Sequence, residues 1–214
     1  MKLLKVYDIL LSTSGPQNWW PMDGGFSPKE WEVCIGAILT QNTSWNNVKK
    51  ALDNLKKENI VSLEKTLGTN EKKIAELIRP SGYYNQKAKK LKGFAEFVKT
   101  FGNVNNFLKN IERDQLLKVN GIGPETADSI LLYAAGKASF VIDAYTKRIF
   151  SRMGMTGKEI GYEELRKFFE QNLPRDSRIY NEYHALIVDL GKKVCKPKPL
   201  CEKCPLGRKC KKII

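Results

Sequence analysis

The stretch that most constrains this chain is LLKVNGIGPETADSILLYAAGKASFVID, residues 116–143. Apolar positions at helical spacing run over 113–119, stop at Asn120-Gly121-Ile122-Gly123 and resume after Pro124. Proline suits the first position of a helix, where its missing N–H would be unpaired anyway. The pattern is a helix, a tight glycine hairpin and a second helix. Gly121 and Gly123 can take positive φ and carry no side chain, so the hairpin amides and the following helix N-terminus can face one external anion, most naturally a phosphate. Plain helix packing through a glycine turn is the competing reading of this segment taken alone. Beyond it, the apolar run Phe140-Val141-Ile142 delivers Asp143 to the start of a helix expected over 144–153. A helix N-terminus stabilises that negative charge, and the residues alone read it equally well as an N-cap.

The rest of the chain is also helical in pattern. No run alternates with period two for long enough to argue for a sheet, so the expected fold class is all-α. Helices are expected over 3–11, from Ser27-Pro28-Lys29-Glu30 onward, over 45–56, 62–67, 70–78, 85–101, 104–109, 162–172 and 177–193. Ser27-Pro28-Lys29-Glu30 has the form of a capping box with proline at the first helical position, and Ser44 is placed to cap the next helix. On the long helix Leu91, Phe94 and Phe97 should point inward. Lys87, Lys89, Lys90 and Lys92 fall on other faces, either solvating a surface or facing DNA. His184, the single histidine, is expected to be a packing or surface residue, and Cys34 a small core residue.

Composition narrows the partners. With 214 residues, 42% of them hydrophobic, the chain can bury a core as one domain or two small ones. Lys and Arg total 37 against 23 acids, a formal charge of +14 whose self-repulsion a polyanion would neutralise. Nucleic acid is the leading partner; a merely basic protein or one with a membrane-surface patch is the alternative. There is no apolar run of about 18 residues to span a bilayer and no secretory signal pattern, so an intracellular, cytoplasmic location is expected.

Four of the five cysteines crowd into C-x5-C-x2-C-x5-C, formed by Cys195, Cys201, Cys204 and Cys210. A reducing compartment makes such a group a metal site more often than a pair of bridges. By its chemistry the loop suits a tetrahedral zinc ion or an iron–sulfur cubane equally well. Residues 192–212 hold nine Lys or Arg and one acid, Glu202, so the loop would present positive charge to a phosphate backbone.

GIGPETAD, followed at the usual interval by VIDAYTKRIFSRMG, resembles the helix-hairpin-helix and downstream aspartate of the endonuclease III superfamily of DNA glycosylases. The resemblance extends over nearly the whole chain. It implies two lobes with the active site in the cleft between them, residues 24–136 forming a helical-barrel lobe and 1–23 with 137–214 a discontinuous lobe carrying the catalytic Asp and the four-Cys loop. It implies a 4Fe-4S cluster on Cys195, Cys201, Cys204 and Cys210, although the first gap of the motif is one residue shorter than the family's usual spacing. Asp143 becomes the catalytic carboxylate, stabilising the positive charge that builds on the sugar as the base departs. Glu125 stands where bifunctional members carry a lysine nucleophile, which implies a monofunctional enzyme unless another lysine, such as Lys147, substitutes. On its residues alone, Glu125 is a first-turn acid complementing a helix dipole.

A base attacked by such an enzyme must be turned out of the duplex into an aromatic pocket. Trp19, Trp20, Pro21 and Trp45 resemble the pocket of the 3-methyladenine branch, with lobe packing as the alternative. Gln41 matches the position that fills the gap left by the flipped base. Asn120, Gly121, Ile122 and Gly123 of the hairpin, with Lys192 and Lys193, complete the expected DNA contacts. The expected protein is a monomeric, monofunctional base excision glycosylase acting on double-stranded DNA, with an alkylated purine such as 3-methyladenine as substrate. An endonuclease III-like pyrimidine or mismatch glycosylase, with or without lyase activity, and a non-catalytic DNA-binding module are the competing readings.

Overall fold

The computed structural model describes residues 2–213, which contain helices and turns and no β-strand among the described residues. The chain opens with α1 (Leu3–Ser14). A continuous unit, Trp20–Lys137, follows. It holds α2 (Lys29–Leu39), α3 (Trp45–Lys57), α4 (Leu63–Gly68), α5 (Glu71–Leu77), α6 (Tyr84–Lys99), α7 (Val104–Asn110), α8 (Arg113–Leu117) and α9 (Pro124–Ser129). Then come α10 (Ala144–Arg152), α11 (Tyr162–Asn172) and α12 (Ser177–Lys193), which join α1 in a second unit made of Met1–Trp19 and Ala138–Ile214. Among the described residues no helix is long and apolar enough to cross a membrane.

In the continuous unit α2 is buried on all sides from Trp31 to Leu39, as a helix apolar around its whole circumference must be. Trp31 stacks on Phe94 of α6, centroids 5.7 Å apart, and Phe94 meets Phe107 of α7 edge-on. The one acid in this stretch, Glu32, is met by Lys56 Nζ at 3.3 Å and by the Asp23 amide. Val48, Leu52 and Leu55 face inward from α3, and Cys34 lies fully buried. Ser62 and Asn70 cap α4 and α5 by accepting from the Lys65 and Lys73 amides.

Two expected caps take another form. The Ser27–Pro28 bond is cis, the Ser27 amide donates to the Val61 carbonyl at 2.9 Å, and Pro28 is itself the N-cap, so no capping box forms. Ser44 has the extended backbone of an N-cap, but its hydroxyl makes no cap bond. The lysines of α6 also depart from expectation. Lys87 is buried, and its ammonium donates to the carbonyls of Leu39 (2.8 Å) and Ser81 (2.7 Å), groups at helical ends that have no intrahelical donor. Burial, with Lys90 nearby, pulls this ammonium down to about 8. Lys92 donates to the carbonyls of Thr66, Leu67 and Thr69, closing the end of α4.

The other unit is organised by aromatic rings. Phe140 stacks on Phe169 at 4.2 Å, and Phe150 meets Phe169 edge-on at 4.7 Å. Tyr183 of α12 reaches α1, its hydroxyl donating to the Leu3 carbonyl at 2.9 Å, while Leu3, Val6 and Leu10 are buried. Gly191 lets α10 press against α12, since a Cβ there would lie 2.4 Å from the Tyr145 ring.

Candidate functional site

The hairpin between α8 and α9 is fixed from three sides. Gly121 has φ +85°, and a Cβ on it would fall 2.5 Å from Lys90 Cγ, so this position requires glycine twice over. Gly123 departs from the expected positive φ: it is extended at φ −89° as the N-cap of α9, with nothing within 4 Å of the place a Cβ would occupy. Open space there lets a ligand approach the backbone closely. Pro124 takes the first helical position as expected. Asn120 is exposed, whereas Ile122 turns its side chain into the core and its amide donates to the Val119 carbonyl at 3.0 Å. Beneath the loop, Arg113 grips the fully buried Asp128 with two bonds of 2.7 and 3.0 Å, tying α8 to α9.

Gln41, just past the end of α2, is brought to this hairpin. Its Nε2 donates to the Gly121 carbonyl and to Thr126 Oγ1, both at 3.0 Å, and its Oε1 accepts from Lys90 Nζ at 2.6 Å.

Asp143 N-caps α10. One oxygen accepts from the Thr146 amide (2.7 Å) and hydroxyl (2.8 Å), which fixes the carboxylate's orientation; the other lies 3.6 Å from His184 Nε2. Its side chain is 13% exposed. Burial pushes its pKa up, but the His184 contact and charge and the two Thr146 bonds outweigh this and hold it below the usual carboxylate value. The arrangement keeps a charged carboxylate in a nearly dry place. His184, read from sequence as a packing or surface residue, is buried and faces this group. Glu125 is exposed on the first turn of α9, in the other unit, so the two acids singled out by sequence belong to different units.

Of the expected pocket residues, Trp20 and Trp45 come together, their rings at right angles with centroids 5.1 Å apart. A third ring, Tyr133, packs on Trp20 at 5.0 Å. Tyr133 lies in a π-helical turn, Ile130–Ala134, where the Ala135 amide reaches back five residues to the Ile130 carbonyl. Helical periodicity of 3.6 residues gives no warning of that turn, and π-turns concentrate at functional sites. Trp19 lies instead under the Lys192 ammonium, 5.5 Å from its ring centre. Lys193 is ion-paired with Asp189 at 2.6 Å. Tyr83, which the sequence places in a turn-rich connector resembling that of the 3-methyladenine branch, without a role of its own, is 66% exposed with φ +45° immediately before α6. An exposed aromatic ring on strained backbone is the signal that marks it.

Cys195, Cys201, Cys204 and Cys210 line one small cavity together with Arg152, Gly207, Lys212 and apolar groups, and no carboxylate or imidazole. Among the described residues no set of three or more His, Cys, Asp or Glu side chains is arranged to hold a metal ion. The donor set is nevertheless all sulfur, and burial together with the other three cysteines pushes the Cys204 thiol up, so the four sulfurs are electrostatic neighbours. A Cβ on Gly207 would lie 3.1 Å from the carbonyls of Cys201 and Cys204, which keeps the loop tight. Arg152 Nη1 approaches Cys195 Sγ at 3.5 Å and bonds the Lys196 carbonyl, and Arg148 bonds the Cys195 and Gly191 carbonyls, so α10 anchors the loop. Four thiols with cations beside them fit a thiolate-bound cluster.

Residues 35–175 match the HhH-GPD superfamily of base excision DNA repair proteins. The chain belongs to that superfamily. It is a DNA glycosylase, an enzyme that hydrolyses N-glycosyl bonds. It is 50% identical, over 97% of its length and 95% of the relative's, to a Methanocaldococcus jannaschii protein named "Putative DNA repair glycosylase MJ1434". Endonuclease III of Sulfolobus acidocaldarius is 30% identical over 83% of this chain and 79% of that protein. The crystal structure of the H. pylori 3-methyladenine DNA glycosylase MagIII bound to 1,N6-ethenoadenine superposes with a TM-score of 0.80 at 32% identity, covering 90% of this chain and 98% of that one. The all-α class read from the sequence and the endonuclease III resemblance both hold.

Proposed function

We propose that this glycosylase is monofunctional, acts on double-stranded DNA and releases an alkylated purine, 3-methyladenine being the first candidate. The observation that carries the reading is Asp143, charged, oriented by Thr146 and nearly sealed from water. A carboxylate so placed stabilises the cation that develops on deoxyribose as the glycosidic bond lengthens, and can orient the attacking water. Glu125 cannot attack the sugar as an amine does, so the product is an intact strand with an abasic site. Trp20, Trp45 and Tyr133 supply aromatic faces for the extruded base, and a cationic methylated purine is favoured by such faces and already has a weakened bond to its sugar. Trp19 and Pro21, the chain neighbours of Trp20, keep the role the resemblance gives them as further contacts to the base. The likeness to the MagIII structure supports the alkylpurine assignment.

Asn120, Gly121 and Gly123, with the backbone of Ile122, hold a phosphate, Gln41 fills the space left by the base, and Lys192 and Lys193 contact the backbone. Tyr83 is placed to wedge between base steps. Cys195, Cys201, Cys204 and Cys210 would hold a 4Fe-4S cluster, which when bound would stiffen a basic loop against DNA while its iron sites are saturated by the four thiolates. A pyrimidine or mismatch glycosylase is the second reading, supported by the likeness to endonuclease III.

The test uses duplexes carrying 3-methyladenine, uracil, an oxidised pyrimidine or a thymine mismatch, assayed for released base and for strand breaks before alkali. Release of methylated purine with intact strands is expected. Asp143→Asn should reduce release at least about a hundredfold with duplex affinity nearly unchanged. Strand breaks trapped by borohydride would overturn the monofunctional reading, and release from the pyrimidine substrates alone would overturn the substrate.

A further inference from the structure

Lys90 sits where two contacts meet. Its stem lies across Gly121, and its ammonium donates to Gln41 Oε1 at 2.6 Å. It also lines, with Lys89, Lys118 and Asn120, a groove of about 680 Å³ between α6 and the hairpin, whose wall includes two acids, Glu71 and Glu96. The Gln41 amide has a single possible orientation here. An ammonium only donates and a carbonyl only accepts, so the oxygen faces Lys90 and the nitrogen faces Gly121 and Thr126. With both of its N–H groups and its oxygen engaged, the side chain reaches outward only by giving these bonds up. The strongest of the three is charge-assisted, and a phosphodiester oxygen competes for that same ammonium better than a neutral amide does.

We infer that Lys90 is a positioning residue that stores Gln41 against the hairpin and releases it when a phosphodiester enters the groove between α6 and the hairpin. The inference rests on the proposed reading of Gln41 as the side chain that fills the gap in the duplex. In the unbound protein the glutamine is held back by Lys90, Gly121 and Thr126. Phosphate capture takes the ammonium away and leaves two neutral bonds, which DNA contacts then replace. Lysine suits this duty because its compact charge on a flexible stem can change partners without moving the helix.

The experiment measures binding of the full-length protein to a duplex with a stable abasic-site analogue and to the undamaged duplex, across a salt series, for Q41A, K90M, T126V, T126S and the pairs K90M/Q41A and T126V/Q41A. Methionine keeps the stem over Gly121, and T126S keeps the hydroxyl, so T126S should behave as the parent. Q41A should lose about tenfold of the preference for the abasic duplex. T126V weakens only the stored state, so it should tighten abasic binding a few-fold, and that gain should vanish in T126V/Q41A. K90M should flatten the dependence of log affinity on log salt by about one, the signature of one lost phosphate contact, and should act non-additively with Q41A. Weaker binding by T126V, a T126V effect that persists without Gln41, additive K90M and Q41A effects, or an unchanged salt slope in K90M would each overturn the inference. If Q41A alone leaves the preference intact, the gap-filling reading falls and takes this inference with it. Base release by the parent protein is scored separately, so that failure is distinct from failure of the glycosylase assignment.

Discussion

Asp143 owes its charge to a balance that one substitution can tip. Burial favours the neutral acid; His184 and Thr146 favour the carboxylate and prevail. Because its pKa is depressed, its contribution to folding is present above the ordinary carboxylate value and is lost as pH falls through the lowered one. Base release should follow the same group, holding its rate to a pH below the usual carboxylate range. His184→Leu removes two of the influences that lower the pKa, the hydrogen bond and the charge, so the acid limb of kcat/KM should move upward; a limb that stays in place would show that Thr146 alone sets it. The N-cap at Asp143 was legible in sequence because a short apolar run ends on it, while its proposed role came from the resemblance. His184 was not, since nothing in a helical repeat tells which of its buried residues will meet a loop from α10. Tyr133 was hidden for a different reason: one π-turn rotates every later side chain away from the position a regular helix assigns it.

At the scale of elements, the hairpin was the most legible part of the molecule, yet its two glycines proved unequal. Only Gly121 has positive φ, and its requirement for glycine is reinforced by the stem of Lys90, a residue of a helix distant in sequence. The expected capping box at Ser27 failed because its backbone is bonded to Val61, a partner local pattern cannot reveal. The brace under the hairpin leads to a stability prediction. Arg113→Met would take two charge-assisted bonds from Asp128, which is 0% exposed, at a cost of about 3–5 kcal/mol, or on the order of 10 °C in Tm. Arg113→Met with Asp128→Leu should recover most of that loss in thermal melts, since a well-packed apolar pair replaces a buried ion pair at little cost.

For the whole molecule, composition had the widest reach. A charge of +14 gave the polyanion, and the chain proved to be a DNA repair enzyme. Binding to undamaged duplex should fall steeply and linearly in log salt, and neutralising Lys209 and Lys211 of the cysteine loop should flatten that line by up to about two if both meet phosphates. Purified protein should contain iron and acid-labile sulfide in equal amounts, and Cys204→Ala should lose both along with loop-dependent DNA affinity; zinc in place of iron would correct the cluster assignment. The unit boundaries follow from packing between segments far apart in sequence, which no local pattern contains.

The hydrogen bond from Tyr183 to the Leu3 carbonyl has a consequence for synthesis. α1 packs on α12, and every residue of the continuous unit is made between the two. Trp20–Lys137 can therefore close its core around α2 while the chain is still growing, and α1, with Leu3, Val6 and Leu10 uncovered, must wait for α12 before it has a partner. From its own synthesis until that of α12, α1 thus leaves an apolar face uncovered, a natural binding site for a chaperone at the ribosome.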